Sequence, residues 1–157
     1  MLTPRWSHLP TSGAGAALGG GRFNRPGVEA LYLSLEVDTA IAEYRQDSSL
    51  LRPGTFASFA VTLDAVVDFR AGFAAGTWPD GWSSWDCDWK QIARIERREP
   101  PSWRIADEVV RSGRKGQLYP STRRPGGTNI VVYPANYRAG DSVAVVDPEG
   151  ALPTDPS

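Results

Sequence analysis

Apolar and polar residues alternate in several short runs. ALYLSL, residues 30 to 35, puts Leu31, Leu33 and Leu35 on one side of an extended chain and Tyr32 and Ser34 on the other. That period of two predicts a strand. TFASFAVTL, 55 to 63, sets Phe56, Ser58, Ala60 and Thr62 against Ala57, Phe59, Val61 and Leu63. VVDFRA (66–71), QLYPS (117–121), TNIVVYP (128–134) and SVAVVD (142–147) predict further strands, with a turn at RPG (52–54) and another at RRPGG.

Elsewhere the period is helical. Val37, Ala40, Ile41 and Tyr44 form an apolar stripe, which predicts a helix through TAIAEYRQ capped by Asp38. Glu43 lies about 60° around that helix from Ala40, at the edge of the stripe, where a carboxylate can line a cleft. Trp78, Trp82, Trp85, Trp89 and Ile92 also recur at helical intervals. This stripe reads as a packed helix face in preference to a partner-binding surface, with Trp78 and Trp82 the first candidates for exposure. PPSWRIADEVVRSG predicts another helix, entered at Pro101 or Ser102 and stopped by Gly113. Residues 1–29, rich in Gly and Pro, read as an ordered loop region with short strands, and the tail from about 149 to 157 as frayed. With no repeat and no linker, the pattern predicts one α+β domain over residues 1–157.

Composition narrows the function. Seventeen basic residues face eighteen acidic ones, a net charge of −1, which gives no general attraction to nucleic acid. Arg123 and Arg124 sit in a turn. Arg94, Arg97 and Arg98 alternate with Glu96 and Glu99, as on a solvated helix face. No apolar run approaches the ~18 residues of a membrane span, and the N-terminus lacks the regions of a signal peptide. A cytoplasmic location is expected. His8 and Cys87 are single examples of their types, so no Cys/His zinc site and no internal disulfide is expected.

The glycine-rich segment SGAGAALGGGR does not make a phosphate loop. The GxGxxG pattern fails at Leu18, and the GxxxxGK pattern fails at Gly21. Arg22, Tyr32 and Glu43 are more informative together. An arginine grips phosphate bidentately, a tyrosine stacks on a planar ring, and a carboxylate stabilises a sugar cation. Those groups suit cleavage of a nucleotide–sugar bond. In the plain alternative, Arg22 pairs with a surface acid, Tyr32 packs and Glu43 is solvated.

GGGRFNRPGVEALYLSLEVDTAIAEY resembles the opening block of the RES domain, and LYPSTRRPGGTNIVVYP its closing block, with PSWRIADEVVRSGRKG similar to the helix between them. The resemblance implies a fold like that of ADP-ribosyltransferases, with small antiparallel sheets and surrounding helices around an NAD cleft. It implies a toxin of a bacterial toxin–antitoxin pair that consumes NAD as substrate, with no metal. The usual partner is an Xre-type helix-turn-helix antitoxin that covers the active site.

Carried over residue by residue, the resemblance implies that Arg22 contacts NAD phosphates or ribose and that Tyr32 stacks near nicotinamide. Glu43 would stabilise the ribosyl cation or position the acceptor. Ser121 would hydrogen-bond the nicotinamide end or Glu43, Asn129 would support the site, and Arg5 and His8 would line the same cleft. The acceptor is expected to be a protein, with water or phosphate as the alternative (NAD glycohydrolysis or phosphorolysis). The Glu-x-Glu pattern of arginine-specific transferases is missing from IAEYR. A non-catalytic binding module is the remaining alternative.

Overall fold

The computed structural model describes residues 1–4, 7–46 and 48–153. Its larger sheet joins β1 (Leu31–Ser34), β3 (Val66–Asp68), β4 (Gly116–Pro120) and β5 (Thr128–Val132) in the order β1-β5-β4-β3. β2 (Ser58–Thr62) and β6 (Ser142–Val146) form a separate antiparallel pair. Around them lie the helices α1 (Ala14–Gly19), α2 (Val37–Arg45) and α3 (Pro101–Arg111). The chain is α+β as the pattern predicts. The larger sheet is mixed, however, not antiparallel, because β3 and β4 run parallel. The Trp-rich segment and α3 lie between these two strands, and a long crossover is what parallel neighbours require.

The alternation of β1 is used on both faces. Leu31, Ile130 and Val132 are buried on one side, with Leu33, Leu63 and Val143 against them. On the other side Tyr32 packs on a core of Phe23, Phe69, Trp82, Ile105, Val109, Tyr119, Val131 and Tyr133. In the pairing register, Ser34, Asn129 and Tyr119 make one row across three strands, and Tyr32, Val131 and Gln117 make the next. Leu35, just beyond the strand, is exposed.

α3 follows the predicted bounds. Pro101 opens it and Ser102, Ile105, Ala106 and Val109 are buried along one face. Ser112 ends it, and Gly113 then takes φ 75°, a left-handed conformation that favours glycine.

Three expectations need correction. First, the tryptophan segment is not one helix. A 3-10 turn over Asp80–Ser84 and a π turn over Gln91–Ile95 are separated by a break. Trp78, Trp82 and Trp85 still pack together, each edge-on to Phe69 at 5.0, 5.2 and 5.7 Å between ring centroids. The packed reading of the stripe holds for Trp82, a first candidate for exposure: it is buried and donates its indole N–H to Glu108 at 2.8 Å. Second, α2 turns a different face inward. Val37 is exposed and Thr39 is fully buried. Glu36, not Asp38, is the residue at the N-cap, and Asp38 pairs instead with Arg124 at 3.3 Å. Third, the region read as loop contains α1. Its C-terminal carbonyls are secured from outside: Asn24 Nδ2 donates to the Ala16 carbonyl and the Gly27 N–H to the Ala17 carbonyl. Such tertiary bonds satisfy a short helix that propensity alone does not hold.

Candidate active site

A cleft of about 810 Å³ opens where α2, the 19–22 glycine segment, the 85–90 segment and the Ser34–Asn129–Tyr119 row meet. Arg22, Tyr32, Glu43 and Asn129 all line it. Its volume falls within the usual range for a small-molecule site.

Glu43 comes from the inner face of α2, one turn after the buried Thr39. Its Oε1 accepts two hydrogen bonds, from Ser121 Oγ at 2.7 Å and from Asn129 Nδ2 at 2.7 Å. No hydrogen bond from a described residue reaches its Oε2. Asn129 is itself oriented by Ser34, whose hydroxyl donates to Asn129 Oδ1 at 2.7 Å. That bond fixes which end of the amide faces Glu43. Ser121 is fixed from its other side, since its Oγ accepts from the backbone N–H groups of Arg123 and Arg124, both at 3.0 Å. The carboxylate is therefore held by two oriented donors.

Arg22 spans two walls. Its Nη1 donates to the carbonyl of Cys87 at 2.8 Å and of Trp85 at 3.2 Å, and Nη2 reaches Thr122 Oγ1 at 3.5 Å. Among the described residues no hydrogen bond is made by its Nε, so a donor remains for an anion. The glycine before it is required by close packing: a Cβ at Gly21 would lie 2.4 Å from the Tyr32 hydroxyl and 2.6 Å from Asn24 Oδ1. Trp103 Nε1 donates to the Gly21 carbonyl at 2.8 Å and holds the segment down.

The Tyr32 hydroxyl is engaged in this packing. It donates to Asn24 Oδ1 at 2.8 Å and accepts from the Phe23 N–H at 2.9 Å. Burial pushes its pKa above the ordinary value, and the Phe23 N–H and the nearby Arg22 charge offset only part of that. Burial also raises Tyr119, helped by Tyr32 and the Glu43 charge. Both phenols stay protonated, and Tyr119, its ring edge-on to Phe23 at 4.7 Å, is part of the cleft wall.

Ser121 belongs to the site through its bond to Glu43. His8 sits in the turn over residues 7–10 and is not among the cleft-lining residues. Arg5 lies outside the described residues. Sequence reasoning did not pick out Ser34, Thr122, Tyr119 or the carbonyls of Trp85 and Cys87. Ser34 was within reach, since the alternation of β1 already put it on the face of Tyr32. Among the described residues there is no cluster of His, Cys, Asp and Glu suited to a metal ion, and no helix is long and apolar enough to cross a membrane.

The fold and the cleft thus define an α+β protein with a doubly braced carboxylate and an arginine in the same cleft. The model of the RES domain matches residues 2–155, and the chain belongs to that family, whose members are in general NAD-utilising enzymes. No curated protein matches the chain.

Proposed function

We propose that the protein consumes NAD, breaking the nicotinamide–ribose bond and passing ADP-ribose to a protein acceptor. The observation that carries this reading is the bracing of Glu43 Oε1 by Ser121 and Asn129, which leaves Oε2 to face substrate. As the bond to nicotinamide lengthens, the pyridine nitrogen keeps the electron pair and leaves neutral. Positive charge develops on the ribose C1′ and ring oxygen, and a fixed carboxylate stabilises it. The acceptor then adds to C1′ and gives up its proton. Arg22 holds the diphosphate through its free donor. The Tyr32 and Tyr119 rings supply aromatic surface for nicotinamide.

A second reading keeps the same first step and changes the acceptor to water or phosphate. Its support is the set of cations in the described lining, where Arg22, Arg45 and Arg52 share the cleft with Glu43. Cations there suit an anionic acceptor as well as an anionic substrate. Under either reading the protein acts as a growth-inhibiting toxin, ADP-ribosyltransferase-like in fold. Its restraint is an Xre-type helix-turn-helix antitoxin lying over the cleft.

The test is incubation with labelled NAD and cell lysate, following free nicotinamide and label on protein together. Protein transfer predicts both. Nicotinamide release without labelled protein replaces the first reading with the second, and no release by the antitoxin-free protein contradicts both.

A further inference from the structure

Glu36 lies outside the cleft lining, yet it joins the two parts of the chain that must meet at Glu43. Its Oε2 accepts from Thr39 Oγ1 at 2.6 Å, on α2, and from the backbone N–H of Thr128 at 2.9 Å, at the start of β5. Those bonds, the Thr39 hydroxyl first, hold its carboxyl below the ordinary range. Glu36, Thr39 and Glu43 recur at helical spacing along one face of α2.

The loop that carries Ser121 is pressed onto the same face. It leaves β4 at Pro120 and enters β5 at Thr128, and it is closed by Ser121 N–H to the Gly127 carbonyl at 2.8 Å. Gly127 touches Thr39 so closely that a Cβ there would lie 2.3 Å from Thr39 Oγ1 and 3.0 Å from its Cγ2. The buried Thr39 hydroxyl thus faces Gly127 while donating to Glu36. Arg124 adds an outer tie to Asp38.

We propose that Glu36 is a positioning residue: by clipping the Ser121–Thr128 loop to the first turn of α2, it sets the Ser121 hydroxyl on Glu43. This rests on the reading of Glu43 as the catalytic carboxylate. Glu36 touches neither the cleft nor the ligand in this scheme, so its loss acts on turnover more than on NAD binding. Glutamine retains a carbonyl oxygen that accepts from both Thr39 and Thr128, so the clip requires an acceptor and not a charge.

The test compares Glu36→Ala, Glu36→Gln and Thr39→Val in the full chain, by amide hydrogen exchange over residues 121–128 and by nicotinamide release. The expected result for Glu36→Ala is faster exchange in the loop and kcat lower by roughly tenfold or more, with KM for NAD within about twofold of wild type. Glu36→Gln should restore both. Thr39→Val, which keeps the shape and removes the hydroxyl, should reproduce the loosened loop if Glu36→Ala fails to fold. A loss of activity confined to KM, or a glutamine variant no better than alanine, overturns the proposal. If the wild-type chain releases no nicotinamide, the functional reading fails by itself. The clip then stands or falls on exchange alone: unchanged loop protection in Glu36→Ala and Thr39→Val overturns it.

Discussion

Ser121 and Glu43, 78 residues apart in sequence, meet through a 2.7 Å hydrogen bond in which the serine hydroxyl donates to the carboxylate. A bond to a charged group contributes about 1.5–3 kcal/mol, which corresponds to roughly 10- to 100-fold in rate where the carboxylate must be oriented in the transition state. Ser121→Ala is therefore expected to lower kcat for nicotinamide release by that factor. Steady-state kinetics checks this, and unchanged kcat would show that Asn129 alone is enough to hold Glu43.

Arg22 has two tasks, since the guanidinium that faces the cleft also holds the Trp85 and Cys87 carbonyls. Arg22→Lys keeps the charge but loses the planar fork. The expected outcome is KM for NAD raised roughly tenfold or more, with faster amide exchange over residues 85–88. Calorimetric titration with NAD gives an independent value of the affinity loss.

For Tyr32 the hydroxyl acts on structure. Tyr32→Phe leaves the buried Asn24 Oδ1 and the Phe23 N–H without that partner, at a cost of about 1–3 kcal/mol. Thermal unfolding of the variant should show a clear fall in Tm. An unaltered Tm would mean that the hydroxyl is free to serve the ligand.

Lys115 and Asp141 predict the acid limb of stability. The hydrogen bond from Lys115 holds the Asp141 carboxyl below its ordinary range, aided by the Arg138 N–H. Lys115 in turn is raised, by Asp141 first and then Asp64. A carboxyl depressed on folding contributes stability that is complete above its unfolded value of about 4 and is lost as pH falls through the folded value. Asp141→Asn should lower Tm at neutral pH, because the nearly buried Lys115 side chain loses a partner, and should flatten the decline below about pH 4. A Tm–pH curve parallel to wild type contradicts this.

Much of the sheet was legible because its two faces bury different residues. The alternation of Leu31 and Leu33 with Tyr32 and Ser34 carries through to two separate cores. The inward face of α2 was not legible. Thr39 is buried through a hydrogen bond to Glu36 and contact with Gly127, and apolar periodicity gives no weight to a buried hydroxyl. The tryptophan intervals suit a continuous helix, but the backbone there is broken into separate turns, and between them the carbonyls at 85 and 87 point to Arg22. The glycine run before Arg22 matches no phosphate-loop pattern, and at Gly21 the space a side chain would need is taken by Tyr32 and Asn24. As for the site, spacing placed Glu43 near a cleft, but only the family resemblance linked it to Ser121. A contact across 78 residues leaves no local pattern.

The central claim is that Glu43 drives cleavage of the nicotinamide–ribose bond. The most direct measurement is nicotinamide release from NAD by purified wild-type protein and by Glu43→Gln, which keeps a carbonyl acceptor for Ser121 and Asn129 and removes the charge. The account predicts a fall in kcat of roughly 100-fold or more with Tm nearly unchanged. Full activity in Glu43→Gln would contradict it.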